Sequence, residues 1–408
     1  MKTTLLILAS TTLVSQLASA IPPLPPEGKR WVRNEKFSDE FNGTELDSSK
    51  WFDHHPNWTG RPPGIFLASQ VSLGDGFMKI QSKKLEEKMT VRGVDYDIAG
   101  GAVVSKTTDA HFGYYECRFK AAATTMSTTF WLSTRKQYPV PGSEGDKFGQ
   151  ELDIQECIGR EGDFKGKYFA SGMNSNGHFW YNPKGGETQD LRATEAKVKT
   201  EKLASEAFNT YGGWWKDART ASFYLNDGEP KDMVFYDKIL DEPFPHPMGL
   251  NMVSETYPFP WIELPGKEEL NDPERNTCYY DWVRSYILVD ADAPTPEGVE
   301  LVPLYEEEID LSDAFDSHEP VKNIIIPFSY KANQDRNIEL QIRDSEGKVI
   351  GESNFKALTG YANTSKTIEL KDAPKSGSYT VTATLSALDS DDAKPLASDE
   401  IKTLKLGK

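Results

Sequence analysis

The chain has 408 residues, a formal net charge of −17 and three cysteines. That acidity excludes a nucleic-acid binder, which needs basic patches, and the odd cysteine count argues against a disulfide-built scaffold. Cys117, Cys157 and Cys278 show no metal-ligand spacing and fall in strand-like segments, where buried free thiols are expected.

Residues 1–20 read as a secretory signal peptide: Lys2, an apolar stretch from Leu5 to Val14, and Ala18-Ser19-Ala20 as the cleavage site. The apolar stretch is too short and too rich in Thr and Ser to span a membrane, and no other segment approaches the ~20 apolar residues required. A soluble, secreted monomer is expected, extracellular or periplasmic. Residues 21–29 form a proline-rich leader. All nine tryptophans lie between Trp31 and Trp282. This asymmetry separates a unit at 30–289 from a second at 302–408, across a polar, proline-bearing linker at 290–301.

In the first unit, Phe77–Gln81 and Tyr114–Phe119 alternate as short strands. Glu151-Leu152-Asp153-Ile154-Gln155-Glu156 follows, with Glu151, Asp153 and Gln155 on one face and Leu152 and Ile154 on the other. Strict alternation sends Glu156 to the apolar face, where an unpaired carboxylate is costly. A one-residue β-bulge between Asp153 and Glu156 returns all three acids to one face. Thr194–Ala207 is the best helical candidate, and Ser222–Leu225 leads into an Asn226-Asp227-Gly228 hairpin turn. Many short strands and few helices predict an all-β jelly-roll sandwich. Beyond residue 302, Asn323–Tyr330, Asn337–Arg343, Lys366–Leu370 and Ser378–Leu385 predict a smaller immunoglobulin-like β-sandwich, an accessory domain that either binds carbohydrate or serves as a structural spacer.

The acid strand and its neighbours resemble glycoside hydrolase family 16, whose signature is a bulged E-x-D-x-x-E strand. Phe37–Gly43 looks like the family's first strand, Phe112–Arg118 like its G-Y-x-E-x-R strand, and Tyr280–Tyr286 like its closing strand. Side motifs resemble enzymes of red-algal galactans: Asn57-Trp58-Thr59-Gly60, Phe130-Trp131-Leu132, and Ser254-Glu255-Thr256 with Glu268-Glu269-Leu270. Two features depart from the agarase pattern. The segment between Leu132 and Glu151 is long, and Arg61-Pro62-Pro63 is not general to agarases.

The resemblance implies Glu151 as nucleophile, Glu156 as acid/base and Asp153 as the acid between them. One glutamate must be ionised while the other is protonated, and crowded carboxylates push their apparent pKa values apart. Trp58 and Trp131 are candidate sugar platforms, and Arg61, Asn176, His178 and Glu255 candidate polar contacts to the polysaccharide, Arg61 to a hydroxyl or a sulfate. Trp282 and one of Trp214 and Trp215 are expected in the core. A structural calcium held by Glu40, the Gly43 carbonyl and Asp281 is also implied, with no cofactor for catalysis. The leading expectation is a retaining endo-hydrolase of β-1,4-galactosyl bonds in agar. The alternatives are a porphyranase of sulfated agar, or a family 16 hydrolase of furcellaran, carrageenan or β-1,3-glucan. A non-catalytic carbohydrate-binding protein would not need three crowded carboxylates.

Overall fold

The computed structural model describes residues 22–226, 228–295, 303–311, 322–372, 374–388 and 395–406; the signal-peptide segment, Asp227 of the hairpin turn and much of the linker lie outside them. Two antiparallel-dominated sheets face each other across one core. The first runs in the order Gln189–Arg192, Ser171–Asn182, Lys147–Cys157, Thr128–Ser133, Gly249–Ser254, Val94–Ser105, Trp51–Phe52. The second runs Lys231–Val234, Thr220–Leu225, Asn209–Trp215, Gly113–Lys120, Thr277–Asp290, Phe77–Gln81, Val71–Gly74, with Lys29–Arg33 added along Thr277–Asp290.

Alternation explains the layering. Tyr115, Cys117 and Phe119 point into the core from one side, and Leu132, Leu152 and Ile154 from the other. Their outward neighbours Tyr114 and Tyr286 form a separate aromatic cluster with Trp31 on the back of the second sheet. The three cysteines are free and buried, with side chains too deep for redox partners. Trp282 and Trp215 are buried, whereas Trp214 packs on the outer face against Trp31.

The second unit is a smaller sandwich. A three-stranded sheet of Glu308–Leu311, Asn323–Ala332 and Gly360–Glu369 covers a four-stranded sheet of Val349–Ala357, Arg336–Arg343, Gly377–Ala387 and Ala397–Leu406. Leu304 and Tyr305, which lead into it, pack on the Trp31, Tyr114 and Tyr286 cluster. The Tyr305 hydroxyl donates to the Pro23 carbonyl at 3.5 Å. This unit therefore meets the first on the back of the second sheet.

Three expectations are corrected. Thr194–Ala207 is not helical: Ala196–Leu203 is a strand whose Met173–Ser175 partners pair with residues 196–198. Ala196 and Val198 turn inward while Lys197 and Lys199 are exposed, a period of two rather than 3.6. Phe37–Gly43 is not a strand either. It contributes a single bridge, Asp39 to Val283, because a left-handed Phe41 (φ 49°) turns the chain so that Phe37 and Phe41 both enter the core. The calcium ligands do not fit. Glu40 accepts hydrogen bonds from Arg33 at 2.8 Å and from two nitrogens of Arg284, both at 2.9 Å, and Asp281 pairs with Arg118. Each carboxylate is already neutralised by guanidinium, so a calcium ion would have to displace those partners.

Candidate active site

The acid motif lies at the centre of the first sheet, on the strand Lys147–Cys157. Its register against Thr128–Ser133 pairs Asp153 with Trp131 and Gln155 with Phe130, so Ile154 is the extra residue of a bulge. The bulge drives Ile154 into the core and places Glu151, Asp153 and Glu156 together on the cleft. Gln155, expected beside the acids, is turned away. Its side chain donates to the Gly172 carbonyl at 3.0 Å and accepts from the Asn174 amide at 2.7 Å, tying the bulge to the adjacent strand.

That adjacent strand, Ser171–Asn182, alternates polar residues toward the acids. Asn176 lies opposite Asp153 and His178 opposite Glu151. Asn176 Nδ2 reaches Glu156 at 3.5 Å, and its Oδ1 is buried without a partner. His178 differs from the sugar contact expected of it, because both ring nitrogens are engaged. Nδ1 bonds Asp190 at 2.8 Å, and Nε2 lies 2.9 Å from Asp153 Oδ2, close enough to pair charges though not aligned as a hydrogen bond. Its ring lies parallel to Trp180, with centroids 5.2 Å apart. Asp190 is in turn gripped by Arg192.

Electrostatics follow from this crowding. Burial, reinforced by the Asp153 charge, raises both Glu151 and Glu156 well above the usual carboxylate range. The two glutamates therefore retain a proton between them at neutral pH, and that titration belongs to the pair. Burial pulls His178 down, but Asp153 and Asp190 overcome it and hold the imidazolium up to about 11. This cation favours ionised carboxylates beside it. The Tyr257 hydroxyl donates to Glu156 at 2.7 Å.

The cleft has two compartments that share Arg61, Glu151, Glu156, Trp180 and Tyr257. One, of about 400 Å³, adds Trp58, Trp131, His55, Arg135 and Glu255. The other, of about 350 Å³, adds Asn176, His178, Arg192, Lys197 and Trp261. Every substrate residue expected from sequence thus lines the cleft. Trp58 and Trp131 meet edge to face at 6.5 Å. Arg61 is committed, since its Nε donates to Glu255 at 2.8 Å and its guanidinium lies over the Phe259 ring. Burial raises Glu255 to about 7 against the pull of Arg61.

Arg135 was not singled out in the sequence. Its NH1 donates to Asn251 Oδ1 at 2.9 Å and meets His55 Nε2 at 3.1 Å. Among the described residues no carboxylate pairs with it, and burial lowers it to about 10. Burial and the Arg135 charge push His55 down to about 4, so that ring is neutral. Arg135 lies in the long segment before Glu151, which forms a short hairpin (Tyr138 opposite Phe148) that brings residues 135–137 to the cleft. The length of that segment was the available signal.

A family model described as "Beta-porphyranase A-D, GH16 domain" matches residues 31–288, and a porphyranase-associated domain matches residues 309–398. Beta-porphyranase D of Zobellia galactanivorans is 54% identical over 356 residues, covering 86% of this chain and 83% of that protein. A beta-agarase of Phocaeicola plebeius is 29% identical, covering 66% of this chain and 89% of its own length. Among solved structures, a beta-porphyranase from the human gut bacterium Bacteroides plebeius matches with a TM-score of 0.61 and 40% identity, over 66% of this chain and 95% of that one.

Proposed function

We propose that the chain, which belongs to glycoside hydrolase family 16 and within it to the β-porphyranase A–D family, is a secreted, retaining endo-hydrolase of porphyran, the sulfated agar-type galactan. The agarase expectation yields to its alternative. The observation that carries this choice is Arg135, a half-buried guanidinium with no carboxylate partner among the described residues, in the compartment that holds Trp58 and Trp131. A neutral agar chain leaves that cation uncompensated, whereas a sulfate ester supplies a planar fork with its anion. The 54% identity to a beta-porphyranase, against 29% to a beta-agarase, supports the same reading.

In the proposed mechanism Glu151 attacks the anomeric carbon and displaces the leaving oxygen, which takes the proton from Glu156. The glycosyl ester on Glu151 is then broken by water, whose proton passes to Glu156. Asp153 and the His178 imidazolium keep charge balanced beneath the two glutamates. A substrate of polymeric size fits the secretory pattern of residues 1–20.

Incubation with porphyran, agarose, furcellaran and laminarin, followed by sizing of the products, tests this. Porphyran should give oligosaccharides at the highest efficiency. Glu151→Gln should remove activity by roughly three orders of magnitude or more with the fold intact. Arg135→Ala should lower kcat/KM on porphyran roughly 10–100-fold. Preferential cleavage of agarose, with no effect of Arg135→Ala, would overturn the sulfated substrate.

A further inference from the structure

The compartment beyond Glu156 contains an aromatic surface that neither the proton chemistry nor the Arg135 side of the cleft uses. Trp261 is 51% exposed and Tyr168 56% exposed, although both line that compartment. Trp261 stacks on Phe259 with centroids 5.0 Å apart and planes inclined by 5°. The guanidinium of Arg61 lies 5.0 Å from the Phe259 centroid and 5.6 Å from that of Trp58. Cation and rings therefore form a continuous row from one compartment to the other.

The exposed tryptophan is held in place by its surroundings. The Ile262 amide donates to the Phe259 carbonyl at 3.0 Å, and the Glu263 amide to the Lys165 carbonyl at 3.0 Å. Arg160 bridges Glu263 at 2.8 Å and Glu269 at 3.1 Å. Gly166, at φ 104°, allows the two loops to touch: a Cβ there would lie 3.0 Å from Ile262 and 3.2 Å from the Trp261 carbonyl. An anchored, half-exposed indole at a cleft mouth presents a flat apolar face at little entropic cost.

We infer that Trp261, backed by Phe259 and flanked by Tyr168, is a sugar-binding subsite on the leaving-group side of the cleft, where it holds a pyranose ring of the galactan by its C–H face. The direction follows from Glu156. The acid strand runs from Gly149 and Gln150, which line the Arg135 compartment, past Glu151 to Glu156. It then reaches Ile158, which packs with Ile262 beside Trp261, so the Trp261 compartment lies at the Glu156 end. Charges here are already paired, Asp190 with Arg192 and Glu195 with Lys197. Polar groups at the rim thus suit hydroxyls, in contrast to the unpaired Arg135 on the other side.

This inference rests on the galactan-hydrolase reading, and two substrates separate them. Porphyran extends across both compartments, whereas a short galactan oligosaccharyl fluoride has a leaving atom that stops at Glu156. Trp261→Ala should raise KM on the polymer roughly tenfold, the scale of one lost apolar face. It should also shift product sizes, while kcat/KM on the fluoride stays unchanged; Trp261→Phe should restore much of the polymer affinity. Unchanged kinetics on both substrates overturns the subsite, as does an equal loss on both. If the wild type prefers agarose, the sulfated-substrate reading fails, and the same comparison on agarose still decides the subsite. A wild type that cleaves no galactan overturns both.

Discussion

Asp190 touches neither glutamate, yet it holds the Nδ1 side of the histidine whose other nitrogen faces Asp153. Burial alone favours a neutral ring; Asp153 and Asp190 together keep it charged. Asp190→Asn removes one of those anions, so the imidazolium loses its proton at lower pH. The ring is held so high in the native protein that it stays charged across the acid limb, so the change belongs to the alkaline side. There the ring becomes neutral, the carboxyls lose a neighbouring cation, and kcat/KM should fall roughly tenfold more than at acidic pH. A variant that loses activity equally at every pH would show Asp190 to be merely structural. None of this was legible in the sequence. Asn176 and His178 could be named because they alternate on one strand, but Asp190 comes from a four-residue edge strand with no motif. Arg135 was missed for a related reason: its environment is assembled from His55, Ser133 and Asn251, three separate segments.

At the scale of elements, the bulged strand was the most legible feature, because a physical conflict announced it. Two apolar and three acidic side chains cannot all be satisfied by a regular strand, and Ile154 resolves the conflict by taking the extra position. What alternation could not supply is the space for that isoleucine. The space is Gly213, on the opposing strand Asn209–Trp215, where a Cβ would lie 2.8 Å from Ile154 Cγ1. Gly213→Ala should press the bulge outward, lower stability by about 1–3 kcal/mol and reduce kcat more than it raises KM, since the acids ride on the displaced residue. A denaturation curve and Michaelis kinetics measure both effects. Wild-type kcat in a destabilised variant would show that the bulge tolerates the shift. The strand Ala196–Leu203 marks the opposite case. Its alternating lysines suit an exposed helix as well as an edge strand, and only pairing with Met173–Ser175 decides between them.

The whole molecule joins its two units over the back of the second sheet, and that surface holds an unusual charge. Glu116, opposite Arg284 and Gly212 in the ladders, is fully buried, and neither carboxyl oxygen has an aligned hydrogen-bond partner. Burial pushes it up to about 8 against the pull of Arg284 and the nearby Arg33, with Glu40 adding to the rise. Unfolded, the same carboxyl loses its proton near 4.5. Between those values the folded chain binds more protons than the unfolded one, so stability present below about pH 4.5 is lost as pH rises toward 8 and the loss then levels off. Glu116→Gln keeps the shape and removes the titration. Its stability relative to the wild type should therefore grow between pH 5 and pH 8.5, by on the order of 2–4 kcal/mol. Chemical denaturation of both proteins at the two pH values measures the difference, and groups common to both cancel. Equal pH slopes would mean that Arg284 fully compensates Glu116, and the seam would then be an ordinary buried ion pair. The predicted slope instead makes Glu116 a source of instability in alkaline solution, on the side of the second sheet opposite the catalytic cleft.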